Sequence, residues 1–220
     1  MAGPGERPPV SDSRISRKNS SLPIVVALHT GRQTDMARKV PMDLGSLLQR
    51  AEEYAEYTMR GTGHVPPTLL AATDEGPILF IPQSMESDQA KDDFANTARL
   101  VCVAHDAGAA VLILEAWATV ASPGQPLDTD TPPSEAFDRR EFVVLMGEDR
   151  TGLQTQKLLP IIRTDAGGFF GFGEFHLPGL DNMKGRFARI LSPGPPSDDM
   201  QNTARELLDS LGIRFSPPPV

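Results

Sequence analysis

Three segments of the chain place apolar residues every three or four positions, which is the spacing of an amphipathic helix. The first segment follows Asp43, a residue suited to an N-cap, and is expected to stop at Gly61 and Gly63. The second covers residues 87–107, and the third begins near Ser197 and ends before Gly212. The sequence therefore predicts three helices.

Elsewhere the pattern changes to short apolar runs and alternating positions, which is typical of strands. One run, residues 77–82, is bracketed by prolines. Four more follow the second helix, at residues 109–121, 141–148, 153–164 and 169–175. The order helix, strand, helix, four-strand meander, helix predicts an α+β fold with a mostly antiparallel sheet of about five strands and helices packed on one face.

The last predicted strand lies in a glycine-rich stretch, AGGFFGFGEFH at residues 166–176. A phosphate-binding glycine loop follows a strand and opens a helix, whereas these glycines begin in a turn and continue into a strand. The pattern therefore favours a half-buried strand over a nucleotide site. Strict alternation places Phe169 and Phe175 on one face and Phe170 and Phe172 on the other.

Composition divides the chain into three parts. Residues 42–212 carry the predicted elements and form a single α+β domain, and residues 213–220 are a proline-rich tail. Residues 1–41 are rich in Pro, Ser, Gly and Arg, and apart from the apolar run at residues 24–28 we interpret them as a mostly disordered basic arm. They could equally be a mis-called start that precedes a true initiator at Met36 or Met42.

Charge and cysteine content narrow the classes of function. Residues 1–40 carry seven basic and three acidic side chains and so have a net charge of +4. Because the whole chain has a net charge of −8, the remaining residues carry −12. An acidic body disfavours nucleic acid as a partner. The single cysteine, Cys102, lies in an apolar run and is expected to be a buried thiol. No stretch approaches the roughly 18 apolar residues of a membrane span, so we expect a cytoplasmic protein with no membrane partner.

Glu115 is the most suggestive single residue, because it interrupts an apolar strand just before Trp117. A carboxylate in such a position is costly unless it is paired or faces an opening. It could act as an acid, a base or a metal ligand with a raised pKa. We favour the alternative in which Glu115 pairs with Arg139 or Arg140 on the next strand, or faces solvent.

Histidines offer little further support for chemistry. His64, His105 and His176 come from separate parts of the chain, and their spacing matches no metal-ligand motif. No nucleophile motif lies on a strand-to-helix turn either. We therefore predict no metal and no cofactor, and the candidate catalytic residues reduce to Glu115, Glu141 and His105.

Four short motifs resemble a group of small bacterial and phage-borne hypothetical proteins. They are Glu115-Ala-Trp117, Pro133-Ser-Glu135, Asp138-Arg-Arg-Glu141 and Glu148-Asp-Arg-Thr-Gly152. The resemblance covers residues 42–180 and implies no activity. It implies that one loop and two neighbouring strands gather Glu115, Trp117, Asp138, Arg139 and Glu141.

The leading hypothesis is a non-catalytic module that binds a protein partner or itself. It would use one face of the sheet or the long loop at residues 122–138, and the candidate binding residues are Trp117, Asp138, Arg139 and Arg140. One alternative is a small hydrolase or lyase that uses Glu115. Another is a nucleic-acid accessory protein that acts through the basic arm.

Overall fold

The computed structural model describes residues 24–27, 42–119, 131–132, 135–175 and 185–213. The helices are α1 (Leu44–Thr62), α2 (Asp88–Ala104) and α3 (Asp198–Ser210). The strands are β1 (Ile24–Ala27), β2 (Thr68–Thr73), β3 (Gly76–Ile81), β4 (Ala109–Ala118), β5 (Arg140–Asp149), β6 (Gln154–Arg163) and β7 (Phe169–Phe172).

All neighbouring strands of the sheet are antiparallel, in the order β1-β3-β2-β4-β5-β6-β7. The α+β class and the four-strand meander, β4 to β7, are confirmed. The sheet has more strands than the five expected, because β1 and β2 join it. The segment of β2, TLLAAT, has no polar alternation, and it forms a hairpin with β3 in which Thr73 pairs with Gly76.

The helices pack on both faces of the sheet, where the sequence analysis expected one. Leu69 and Ala71 of β2 pack with α2 and α3, whereas Leu70 and Ala72 of the same strand pack with α1. A strand that is apolar on both faces is typical of a sheet covered on both sides. We call the two sides the α1 face and the α2–α3 face.

The starts of the three helices agree with the capping signals in the sequence, whereas α2 ends three residues before the predicted residue 107, because Asp106 turns the chain with a positive φ of 51°. Asp43 Oδ1 accepts a hydrogen bond from the backbone N–H of Ser46 at 2.7 Å, which caps α1. Gly63 ends α1 in the left-handed conformation, with φ of 78°. Ser87 and Ser197 cap α2 and α3 in the same way as Asp43. The three predicted helices are confirmed.

The glycine-rich stretch forms β7, so the strand interpretation is confirmed, but the predicted alternation of its aromatic residues is wrong. A register shift at Ile162 and Arg163 lets Phe169 and Phe172 pack on the same core, with their ring centroids 5.0 Å apart. Phe170 is left exposed between them. One extra residue in a strand reverses the facing of every later side chain, which sequence alternation alone does not reveal.

Two buried residues with ionisable groups lie on the α2–α3 face. Burial raises the pKa of the Cys102 thiol, which confirms the expected buried cysteine. Glu148 of β5 is buried, and its Oε1 accepts a hydrogen bond from the backbone N–H of Leu191 at 2.7 Å. Its other oxygen accepts from Gln154 Nε2 at 3.2 Å. The Glu148 carboxylate thus ties the segment before α3 to the sheet.

The predicted terminal segments fall largely outside the residues that the structure describes. Of residues 1–41 it describes 24–27, which add β1 to the sheet through pairing with β3. Of the tail at 213–220 it describes Ile213, which is buried. Predictions about the remainder of both segments, and about residues 120–130 and His176, lie outside the described residues.

Candidate functional site

The candidate site lies where β4 extends past β2. The pairing of β2 with β4 begins at Thr68 and Ile113, whereas β4 continues to Ala118 with β5 as its partner. Beyond Ile113, the space beside β4 is crossed by the connection from α1 to β2. Glu115 and Trp117 follow Ile113 at two-residue intervals, so all three project to the α1 face.

Glu115 binds that connection. Its Oε1 accepts a hydrogen bond from the backbone N–H of Val65 at 2.8 Å, and Val65 itself is buried. Partial loss of hydration raises the pKa of Glu115, while the bond from Val65 and the nearby charge of His64 act to lower it. No ion pair joins Glu115 to Arg139 or Arg140, so that expectation is wrong, and the bonded partner of the carboxylate is instead a backbone N–H from before β2. The other expectation, that Glu115 faces solvent, agrees with its exposed side chain.

The Trp117 ring contacts an arginine side chain. The guanidinium carbon of Arg139 lies 4.6 Å from the ring centroid of Trp117, within the range of a cation–π contact. The tryptophan remains 41% exposed, and Phe137, two residues before Arg139, is fully exposed. We call these three residues the Trp117 surface.

A second carboxylate lies beside the same ring. Glu141 of β5 is directly opposite Trp117 in the strand register and shares its face. Arg163 of β6 reaches across and donates from Nε to Glu141 Oε2 at 2.6 Å. Both side chains of this ion pair are partly exposed, so solvent weakens the attraction.

These residues surround a small cavity of about 220 Å³. Its lining contains Glu115, Ala116, Trp117, Glu141, Phe142 and Ile161. Pockets for drug-sized ligands usually measure about 300–1,000 Å³. The cavity beside Trp117 is therefore suited to a single side chain or a group of similar size.

His105, the third candidate catalytic residue, is elsewhere. It is the C-cap of α2 and precedes β4, whose first residue, Ala109, is about 20 Å of strand away from Glu115. It also belongs to the α2–α3 side, where burial and the charge of Arg205 lower its pKa. The structure does not bring His105 to the two glutamates.

The predicted binding residues divide into two groups. Trp117 and Arg139 are in contact, while Asp138 and Arg140 are exposed neighbours of Arg139 at the start of β5. Arg163 and Val65 also belong to the site, although neither was predicted from the sequence. Arg163 could have been found only with the β5–β6 register, and Val65 donates through its backbone, which leaves no side-chain signal.

The three candidate catalytic residues do not form one group. Glu115 accepts a hydrogen bond from the backbone of Val65, and Glu141 accepts one from Arg163. His105 lies at the other end of β4. Among the residues described, no three His, Cys, Asp or Glu side chains are placed to hold a metal ion. Within the same residues, no helix is long and apolar enough to span a membrane.

Comparisons with known proteins identify no relative. No family model, no curated protein and no solved structure matches the chain. The resemblance to small bacterial and phage-borne hypothetical proteins stays a prediction.

Proposed function

We propose that this protein is a non-catalytic interaction module that binds another protein, or a second copy of itself, through the Trp117 surface. The observation that carries the proposal is the half-exposed Trp117 ring with the Arg139 guanidinium 4.6 Å above it. Tryptophan and arginine are enriched among the residues that dominate binding energy at protein interfaces. Phe137, two residues before Arg139 in the chain, adds an exposed aromatic side chain.

The state of the two carboxylates supports binding over catalysis. General acid–base catalysis needs its groups within hydrogen-bond reach of one substrate, whereas His105 lies at the other end of β4 from the two glutamates. Glu115 supports the start of β2, and Glu141 holds Arg163. These bonds fix the strand ends that present Trp117, which is what a preorganised binding surface requires. We also propose a cytoplasmic location, which is consistent with a chain whose single cysteine cannot form an internal disulfide.

The test is affinity purification of the full chain from its host, compared quantitatively among three forms. We expect Trp117→Ala to lose a co-purifying protein, or to lose a homo-oligomer, that wild type retains. The control is Leu153→Ala, which removes an exposed apolar side chain from the β5–β6 turn at the far end of the sheet. Equal recovery from all three forms would contradict the proposal.

A second candidate function is a small hydrolase or lyase that uses Glu115. The observation in its favour is the raised pKa of Glu115 beside a cavity. Its test is turnover of chromogenic ester, phosphate and glycoside substrates by wild type and Glu115→Gln. Activity that the variant loses would favour the enzyme, and no turnover by either form would remove this candidate. The nucleic-acid hypothesis depends on the basic arm, most of which lies outside the described residues, and stays a prediction.

A further inference from the structure

Three groups that attract a cation meet at the cavity beside Trp117. Trp117 lines this cavity together with Glu115 and Glu141, which supply carboxylates on the same side of the sheet. The ring already holds one guanidinium, that of Arg139. We propose that the cavity receives a basic side chain, an arginine in the first place, from the partner protein, and that this side chain replaces Arg139 on the ring. This inference rests on the proposed function.

The carboxylates can accept further hydrogen bonds. An ionised carboxylate offers about four lone-pair positions. The Val65 N–H uses one position on Glu115 Oε1, and Arg163 Nε uses one on Glu141 Oε2. Each glutamate therefore retains acceptor capacity while its structural bond stays in place.

Arginine fits this combination better than lysine does. Its planar guanidinium stacks on an aromatic face and donates two parallel hydrogen bonds to a carboxylate, whereas an ammonium group is a compact, strongly hydrated charge. The cavity lining supplies an aromatic ring, that of Trp117, together with the carboxylates of Glu115 and Glu141. The cavity of about 220 Å³ limits the guest to one side chain.

Charge complementarity points to the same partner chemistry. Outside residues 1–40 the chain carries a net charge of −12, which attracts basic segments and repels acidic ones over a longer range than the site, where Arg139 and Arg163 accompany the two glutamates. Arg139 is exposed and lies in the short segment between the long loop and β5. Its guanidinium acts as an internal competitor that an incoming arginine displaces.

Fluorescence of the protein gives a direct test, because Trp117 is the single tryptophan of the chain. The probes are acetyl-Gly-Arg-Gly-amide and its citrulline counterpart, which has the same shape without the charge. We expect the arginine probe to change Trp117 emission in a saturable way. Its affinity should be about fivefold or more above that of the citrulline probe, because a cation–π attraction of about 1 kcal/mol corresponds to that factor. Equal responses to the two probes would overturn the proposal.

Two matched variants test the role of Arg139. Arg139→Gln removes the cation from the ring, while Arg140→Gln removes the same charge one residue away, at a position that pairs with Ala118. We expect Arg139→Gln to bind the arginine probe more tightly than Arg140→Gln does. If the two variants bind it equally, Arg139 does not compete for the ring.

The outcomes separate this inference from the proposed function. Loss of a co-purifying protein in Trp117→Ala, together with equal binding of the two probes, would keep the interaction module and reject an arginine guest. Selective probe binding without any protein that depends on Trp117 would support the cation site and reject the interaction module.

Discussion

The backbone N–H of Val65 and the carboxylate of Glu115 are joined by a hydrogen bond of 2.8 Å across 50 residues of sequence. The bond holds the connection between α1 and β2 against the exposed end of β4. Glu115 therefore has a structural role that supports Trp117, two residues further along the same strand.

Truncation of Glu115 should expose that role. In Glu115→Ala the buried N–H of Val65 loses its acceptor, and we expect the free energy of unfolding to fall by about 1–3 kcal/mol. Glu115→Gln keeps an amide oxygen that can accept the same bond and removes a partly dehydrated charge, so its stability should stay close to wild type at pH 7. Urea unfolding measures both. Equal destabilisation in the two variants would contradict the Val65 bond as the cause.

Glu148 is expected to be more sensitive to truncation than an exposed glutamate. Glu148→Ala removes the acceptor for Leu191 N and for Gln154 Nε2, and it should lower the free energy of unfolding by about 2–3 kcal/mol. Glu206→Ala, at an exposed position on α3, is the control and should change it by less than about 0.5 kcal/mol. Thermal or urea unfolding of the pair decides the matter, and a Glu148→Ala protein as stable as the control would be inconsistent with the buried bond.

Stability should fall as the pH drops below about 6.5, in part through His105. Burial and Arg205 lower the pKa of His105 from its reference value of 6.5, so the unfolded chain takes up this proton first. The contribution of the neutral imidazole is complete above pH 6.5 and is lost as the pH falls towards the lower pKa of the folded state. We expect His105→Asn to show a smaller loss of stability between pH 7.5 and 5.5 than wild type. Equal losses of stability in wild type and His105→Asn over this range would contradict the role of His105.

Cys102 should resist thiol reagents in the folded protein. Burial raises the pKa of its thiol, so the reactive thiolate is scarce at neutral pH and the sulfur is inaccessible. We expect labelling by an aromatic disulfide to be slow in buffer and fast in urea, with a native rate that follows global unfolding. Rapid stoichiometric labelling in buffer would show that the α2–α3 face opens locally.

The helices and the meander could be predicted because their signals are local. Asp43, Ser87 and Ser197 each cap a helix by a hydrogen bond within its first turn. Gly63 ends α1 in the left-handed conformation, which glycine readily adopts. The missed features depend on contacts between distant segments. The apolar run of β2 does not show that helices cover both of its faces, and the bulge in β7 depends on its pairing with β6.

The candidate site could be predicted only where its residues are close together in the sequence. Glu115, Trp117, Arg139 and Glu141 cluster because β4 and β5 are sequential antiparallel strands, which proximity in sequence suggests. The partner of Glu115 could not be deduced, since a backbone N–H has no residue type. The separation of His105 from Glu115 follows from the length and register of β4, which only the structure defines.

Photo-crosslinking can show directly whether a protein partner binds at the Trp117 surface. A photoreactive residue replaces Phe137, which is fully exposed beside Arg139, or replaces Leu153 at the far end of the sheet as a control. The account predicts a protein adduct in host cells from position 137, none from position 153, and loss of the adduct when Trp117→Ala is added. Equal adducts from both positions, or an adduct at 137 that persists without Trp117, would contradict it.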